Sequence, residues 1–153
     1  MAGKSYDELL SEYRESIPEM DPEEVEKILD NGSEVTIVDV RESEEYRAGH
    51  LPCALQLSRG FLEMQAAKKL PDQDAAIIAY CAGGVRSLFA ANSLRVLGYS
   101  NVTSMKGGFT RWKQGGHPVD VPEALSEQER ERYARHLSID EVGEAGQLLM
   151  KKA

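Results

Sequence analysis

The sequence feature that most constrains the fold is an apolar run at residues 75–80 that leads directly into Cys81. Apolar residues then recur three positions apart from Leu88 to Leu97, which is typical of a helix with one buried face, and Gly98 can end that helix. We therefore predict that Cys81 lies in a short loop between a buried strand and a helix.

The predicted loop, residues 81–87, has the sequence CAGGVRS. Its two glycines allow the backbone to curl until successive N–H groups point at one spot. The N-terminus of the following helix adds unpaired N–H donors and a partial positive charge, and Arg86 adds a permanent cation. All of these features favour an anion at Cys81, which indicates a reactive sulfur. A structural cysteine would instead prefer apolar neighbours.

The rest of the chain alternates between short apolar runs and helical patterns. Further strands are predicted at residues 35–40, 54–57 and 101–105, and helices lie between them. This alternation predicts an α/β fold with a parallel sheet of about five strands, helices on both faces, and extra helices at the two termini. Reactive groups in such sheets lie beyond the carboxyl ends of strands, where Cys81 is placed.

Composition excludes several classes of function. A formal net charge of -8 and a pI near 4.9 give no broad basic surface for nucleic acid or an anionic membrane. No stretch is typical of a membrane span or a secretion signal, so the expected location is the cytoplasm. The two cysteines make no disulfide framework and the three histidines are scattered, so we expect neither a metal nor an organic cofactor.

The CAGGVRS loop resembles the active-site loop of rhodanese-type sulfurtransferases. That pattern is Cys, two variable residues, Gly, one variable residue, Arg and often Ser, and Gly84, Arg86 and Ser87 fall on the matching positions. Residues 39–41 (DVR) and 46–52 (YRAGHLP) are similar to a family stretch with Asp-x-Arg, an aromatic residue and Gly-His-Ile-Pro-Gly-Ala.

Residues 107–112 (GGFTRW) resemble the closing signature of the same family, which extends the resemblance over residues 18–122. We interpret this range as a rhodanese-like domain that follows an N-terminal helical extension, residues 1–17. Cys53 departs from the pattern, because the family usually has glycine there.

The resemblance implies an enzyme that takes sulfane sulfur from thiosulfate or a persulfide onto Cys81 and passes it to a nucleophilic acceptor. Cys81 would carry the sulfur as a persulfide, a covalent intermediate that divides the transfer into two steps. Arg86 would orient an anionic donor, and inward N–H groups of the loop would stabilise the terminal sulfur. The loop residues expected to bind substrate in this way are Ala82, Gly83, Gly84, Val85 and Arg86.

Several other residues are expected to support the site or the fold. Ser87 is placed beside the loop, and Asp39 with Arg41 is expected to form an internal ion pair or loop brace. His50 is expected to tie down a turn rather than to act as a base. Trp112 is expected in the core, and Cys53 is expected to be a packing residue rather than a resolving thiol.

Two other functions fit parts of the pattern. The spacing Cys-x4-Arg also suits a phosphatase or arsenate reductase, but cysteine phosphatases of similar fold have one more residue between Cys and Arg. They also commonly carry His before the cysteine, where this chain has Tyr80. The second of these functions is that of a non-catalytic rhodanese-like binding module, but such modules usually lack the cysteine.

Residues 123–153 form a predicted helical tail that begins with a capping box at Ser126 and Glu129. Residues 132–137 and 141–147 resemble the opening segment of the adenylyltransferases of molybdopterin and thiamine synthesis. That resemblance implies a sulfurtransferase linked to sulfur-carrier chemistry; the alternative is a stand-alone sulfurtransferase. The expected partners are a small sulfane-sulfur donor and a ubiquitin-like sulfur-carrier protein or a cysteine desulfurase.

Overall fold

A computed structural model of the chain describes residues 3–122. The predicted tail at residues 123–153, with its resemblance to an adenylyltransferase segment, lies outside the described residues. The helices are α1 (Tyr6–Ser16), α2 (Pro22–Asp30), α3 (Ser43–Ala48), α4 (Leu62–Lys69), α5 (Arg86–Val96) and α6 (Gly108–Gln114), and a 3-10 turn, Arg59–Phe61, precedes α4. The strands are β1 (Glu19–Met20), β2 (Thr36–Asp39), β3 (Leu55–Gln56), β4 (Ile77–Tyr80) and β5 (Val102–Met105).

The strands form one five-stranded sheet in the order β1-β5-β4-β2-β3, and every neighbouring pair is parallel. This confirms the predicted α/β class and sheet. The central strand β4 pairs with β2 through Ile77 and Thr36 and with β5 through Ile77 and Val102. The loop that follows β4 therefore leaves the middle of the sheet at its carboxyl edge.

Residues of β2 and β4 alternate between two apolar clusters, which places one cluster on each face of the sheet. Ile77 and Ala79 belong to the first cluster, with side chains from α4 and α5. Ile78 and Tyr80 belong to the second, which includes residues of α2 and α6. Helices therefore cover both faces, as predicted, and Trp112 of α6 is fully buried, as expected.

The N-terminal helix α1 packs on the first face of the sheet. Its N-cap is Ser5, whose Oγ accepts a hydrogen bond of 3.1 Å from the N–H of Glu8. Tyr13 meets the ring of Phe89 on α5 edge-on, with ring centroids 5.0 Å apart, and Ile17 after the helix is buried in the same cluster. Among the described residues, no helix is both long enough and apolar enough to cross a membrane.

Candidate active site

Cys81 follows the last residue of β4 directly, and α5 begins at Arg86. The strand, loop and helix thus occur where the sequence predicted them. Cys81 is 1% exposed, so its thiol lies at the bottom of the loop and little water can reach it. A charge on the sulfur must therefore be stabilised mainly by protein donors.

The loop supplies those donors at short range. The N–H of Gly84 lies 3.1 Å from Cys81 Sγ, and the N–H of Ser87 lies 3.3 Å from it. Ser87 Oγ is 3.5 Å from the same sulfur. Because Ser87 lies in the first turn of α5, the sulfur also faces the positive end of that helix. The sulfur thus has two backbone N–H groups and one hydroxyl group within hydrogen-bond distance.

The loop residues differ in whether they reach Cys81 Sγ. The N–H groups of Ala82, Gly83, Gly84, Val85 and Arg86 were expected to stabilise the terminal sulfur of a persulfide. Of these five residues, all of them described, Gly84 alone donates to Sγ itself. Ser87, expected only in a supporting role, supplies the second backbone donor because the first turn of α5 directs its N–H at the sulfur.

Ser104 is a site residue that the sequence analysis missed. Its hydroxyl lies 2.8 Å from the hydroxyl of Ser87, and both residues are fully buried. Ser104 lies on β5, so this contact fixes the Ser87 hydroxyl beside Cys81 Sγ. A serine in a short strand carries no sequence signal of such a contact.

The first turn of α6 forms hydrogen bonds with the backbone of the Cys81 loop. The N–H of Phe109 donates to the carbonyl of Cys81 at 2.8 Å, and the N–H of Thr110 donates to the carbonyl of Ala82 at 3.0 Å. Gly84 adopts a φ of +96°, which favours glycine, and a Cβ there would lie 3.0 Å from the nitrogen of Gly107. The carbonyl groups of Cys81 and Ala82 therefore point towards α6, which leaves the opposite side of the loop for N–H groups that face the sulfur.

Arg86 is paired with an acidic residue of another helix. Its guanidinium donates to both carboxylate oxygens of Glu45 on α3, at 3.0 and 3.2 Å. The hydrogen bond from Arg86 lowers the pKa of Glu45 from its usual value, and the same contact raises the pKa of Arg86. Glu45 was not among the predicted site residues, and it is separated from Arg86 by 41 positions in the sequence.

Asp39 and Arg41 form the expected ion pair, buried at 0% and 4% exposure with a contact of 2.7 Å. Arg41 also donates to the carbonyl of Gly49 at 2.7 Å. Tyr80, the residue before Cys81, donates its hydroxyl to Asp39 at 2.7 Å and accepts the N–H of Leu51 at 3.1 Å. Burial, followed by the nearby Asp39 carboxylate, raises the pKa of Tyr80, so its hydroxyl stays a neutral donor. The pair thus braces the end of β4.

His50 lies two residues before the turn at residues 52–53. Its ring stacks on Tyr46 with centroids 3.8 Å apart, and its backbone forms a bridge with Asp120. The prediction for Cys53 was wrong, since its side chain is exposed rather than packed. The residue adopts a φ of +63°, the left-handed conformation for which the family pattern places glycine there.

Within residues 3–122, no group of three or more His, Cys, Asp or Glu side chains is placed to hold a metal ion. The groups around the loop are a thiol, a hydroxyl, backbone N–H groups and a guanidinium. Together they can hold a nucleophilic sulfur and a second, negatively charged sulfur atom bonded to it.

The family model of the rhodanese-like domain matches residues 21–115. A sulfurtransferase of Allochromatium vinosum is 32% identical over 107 residues, covering 70% of this chain and 98% of that protein. The thiosulfate sulfurtransferase GlpE of Pseudoalteromonas translucida is 38% identical over 87 residues, covering 57% and 80%. The probable adenylyltransferase/sulfurtransferase MoeZ of Mycobacterium tuberculosis is 30% identical over 98 residues, covering 63% of this chain but only 25% of MoeZ.

Solved structures show the same fold. A rhodanese-like domain from an Anabaena protein has a TM-score of 0.64 at 29% identity, covering 72% of this chain and 88% of that one. A protein of unknown function from Rhodopseudomonas palustris, described as a possible tyrosine phosphatase, has a TM-score of 0.70 at 30% identity, covering 78% and 97%. The match over residues 21–115, more than half of the sequence, shows that this chain belongs to the rhodanese-like domain family.

Proposed function

We propose that this protein is a sulfurtransferase in which Cys81 carries the transferred sulfur as a persulfide. The main support for this proposal is the position of Cys81. Its buried sulfur lies at the end of β4 and accepts hydrogen bonds from the N–H groups of Gly84 and Ser87. Relatives named sulfurtransferases support the reaction class.

The transfer proceeds in two displacement steps. The Cys81 thiolate attacks the outer sulfur of thiosulfate, a new S–S bond forms, the S–S bond of the donor breaks, and sulfite leaves with the electron pair. A nucleophilic acceptor then attacks the outer sulfur of the persulfide, and the Cys81 thiolate leaves. The donors around the loop offset negative charge on sulfur in both steps, in a space where little water can do so.

We further propose that the sulfur enters sulfur-carrier chemistry of the molybdopterin or thiamine type. In that case the terminal persulfide sulfur attacks the activated C-terminal carboxyl group of a ubiquitin-like carrier protein and the activating group leaves. A thiol reductant then cleaves the resulting acyl disulfide, which releases the carrier thiocarboxylate and the Cys81 thiolate. The match to MoeZ, named a probable adenylyltransferase/sulfurtransferase, supports this, although it covers a quarter of that protein. A cysteine desulfurase is the proposed protein donor. The alternative is a stand-alone thiosulfate or persulfide sulfurtransferase, which the match to GlpE supports.

Phosphoryl chemistry is the competing function, because a solved relative is described as a possible tyrosine phosphatase. The spacing of the loop favours sulfur transfer. The Cys81 loop has four residues between Cys and Arg, which suits a single sulfur better than a tetrahedral phosphate group.

Steady-state turnover tests the proposed function. With thiosulfate as donor and cyanide as acceptor, the wild-type protein should form thiocyanate, and Cys81→Ser should reduce the rate to the uncatalysed background. Cys53→Ser is the matched control, because it removes the exposed thiol and should retain the rate. Hydrolysis of a phosphate ester without thiocyanate formation would support the phosphatase instead. No turnover with any donor would favour a binding module.

A further inference from the structure

Glu45 is fixed opposite Arg86 by its own helix. Its carboxylate accepts the N–H of Glu42 at 3.1 Å, one half of the capping box that begins α3. The same carboxylate receives both terminal nitrogens of Arg86, at 3.0 and 3.2 Å. This contact uses both terminal nitrogens of the guanidinium group, the same nitrogens with which an arginine binds an anion through two parallel hydrogen bonds. Glu45 is thus placed to compete with any anionic donor for Arg86.

We propose that Glu45 is a specificity-determining residue: by occupying Arg86, it makes the site select persulfide donors of low net charge over dianionic thiosulfate. The inference rests on the proposed function, because it concerns which donor loads sulfur onto Cys81.

The charges around the loop support this selection. The side chains of Arg86 and Glu45 are 39% and 35% exposed, while Cys81 of the same loop as Arg86 is 1% exposed. The formal charge that Arg86 adds to the loop is therefore cancelled by Glu45 and does not offset the charge of a Cys81 thiolate. The repulsion between that thiolate and a dianion is twice the repulsion from a single negative charge at the same distance.

Both members of the pair stay charged at neutral pH. The hydrogen bond from Arg86 lowers the pKa of Glu45, and the hydrogen bond to Glu45 raises the pKa of Arg86. Because both side chains are more than a third exposed, the pair adds little to stability, and a donor can compete for Arg86. The competition should therefore weaken the binding of thiosulfate more than it slows the sulfur-transfer step.

The two donors lead to the same product by balanced reactions. Thiosulfate leaves as sulfite when its S–S bond breaks, and cysteine persulfide leaves as the cysteine thiolate when its S–S bond breaks. In each case one S–S bond forms at Cys81 and no electrons are gained or lost overall. A difference between the two loading rates therefore reports how the site recognises the donor.

The test compares wild-type protein with Glu45→Gln, which removes the charge and keeps an oxygen to accept the N–H of Glu42. Reduced protein is mixed with thiosulfate or cysteine persulfide, quenched, and analysed by intact-protein mass spectrometry for the gain of one sulfur atom. The second-order rate constant for thiosulfate should rise roughly three- to tenfold in Glu45→Gln, and that for cysteine persulfide should change by less than about twofold.

Two controls separate recognition from general effects. Glu44→Gln makes the same change of charge in the first turn of α3 at an exposed residue and should leave both rate constants within about twofold of wild type. In the double variant Glu45→Gln/Arg86→Gln, the gain for thiosulfate should disappear, because Glu45 acts through Arg86. If Glu45→Gln lowers the melting temperature, Glu45→Asp keeps the negative charge in the first turn of α3 and the half of the capping box formed by the Glu42 side chain. It withdraws the carboxylate from Arg86 and should shift the ratio of the two rates in the same direction.

The result that overturns the inference is a wild-type protein that loads sulfur while Glu45→Gln leaves the ratio of the two rate constants unchanged. Persistence of the thiosulfate gain in the double variant would overturn it as well. If the wild-type protein loads sulfur from neither donor, the proposed function fails, and the inference fails with it.

Discussion

Cys53 is an exposed residue with a left-handed backbone conformation, and it lies between buried neighbours. It lies in a turn closed by a 3.1 Å hydrogen bond from the N–H of Ala54 to the carbonyl of Leu51, and both of those residues are buried. The φ of +63° at Cys53 leaves its side chain exposed between them. A side chain in this left-handed region carries a steric cost that glycine avoids.

We expect Cys53→Gly to keep the fold and to raise the free energy of unfolding by up to about 1.5 kcal/mol. Glycine removes a strain of about 1–2 kcal/mol and loses about 0.5–1 kcal/mol through the greater freedom of the unfolded chain. Urea unfolding measures the difference. Cys53→Ser keeps the Cβ and should stay close to wild type, so a Cys53→Gly protein less stable than Cys53→Ser would contradict the argument.

At the scale of elements, the shape of the Cys81 loop depends on α6. Gly108 at the start of that helix has a φ of +59°, and a Cβ on it would lie 2.6 Å from the carbonyl carbon and oxygen of Ala82. Such a contact cannot be relieved by a flexible side chain, because the atoms of Ala82 belong to the backbone. The backbone of the loop and the first turn of α6 must therefore stay in close contact.

We expect Gly108→Ala to lower the free energy of unfolding by about 2–4 kcal/mol, since it combines left-handed strain with overpacking. It should also slow sulfur loading of Cys81, because the carbonyls that α6 holds would be displaced. Urea unfolding and mass spectrometry measure the two effects. Gly60→Ala is the control, because its added Cβ would meet no atom within 4 Å and its φ is not positive. Equal stability of the two variants would show that the contact is unimportant.

The elements that the sequence predicted well are those with strong local signals. The apolar run before Cys81, followed by two glycines and a helical pattern, led to β4 and α5. Strand β1, Glu19–Met20, escaped prediction because it is two residues long and is defined by pairing with Ser104 and Met105 of β5. Pairing between distant segments leaves no local pattern in such a short strand.

The same limit applies to the site. Cys81 and its loop could be predicted, because the motif is continuous in the sequence. The contacts of Glu45 with Arg86 and of Ser104 with Ser87 join residues 41 and 17 positions apart, so only the folded chain reveals them. The prediction for Cys53 was wrong for a local reason. The left-handed backbone at this residue turns its side chain to solvent although its neighbours are buried, and an apolar residue type gives no sign of that conformation.

At the scale of the whole molecule, the hydroxyl groups of two buried tyrosines form hydrogen bonds between segments that are distant in the sequence. Tyr80 joins the end of β4 to Asp39 and Leu51, and Tyr99 donates to the carbonyls of Ala66 and Leu70 at 3.0 and 2.6 Å. Burial is the main cause that raises the pKa of both tyrosines. The fold therefore favours their neutral forms.

This preference predicts a loss of stability in alkaline solution. Above pH 10, the ordinary tyrosine pKa, the unfolded chain loses these protons while the folded chain keeps them, so the unfolded state is favoured as the pH rises. Each such group should lower the free energy of unfolding by at most about 1.4 kcal/mol per pH unit there. Below pH 10 the contribution is fully present.

Urea unfolding of wild type and Tyr80→Phe between pH 8 and pH 11 tests this. Tyr80→Phe should be less stable at pH 8 by about 1–3 kcal/mol, because it leaves the buried N–H of Leu51 without its acceptor. Its stability should then fall less steeply above pH 10, since one titrating group is gone. Parallel curves for the two proteins would refute the role assigned to Tyr80.

The central claim is that Cys81 accepts a sulfur atom, and the mass of the intact protein tests it most directly. After reduced protein is incubated with thiosulfate and desalted, its mass should increase by one sulfur atom, and added cyanide should reverse the change. The gain should remain in Cys53→Ser and be absent in Cys81→Ser. A gain that survives in Cys81→Ser and disappears in Cys53→Ser would contradict the account, because the exposed thiol would then be the sulfur carrier.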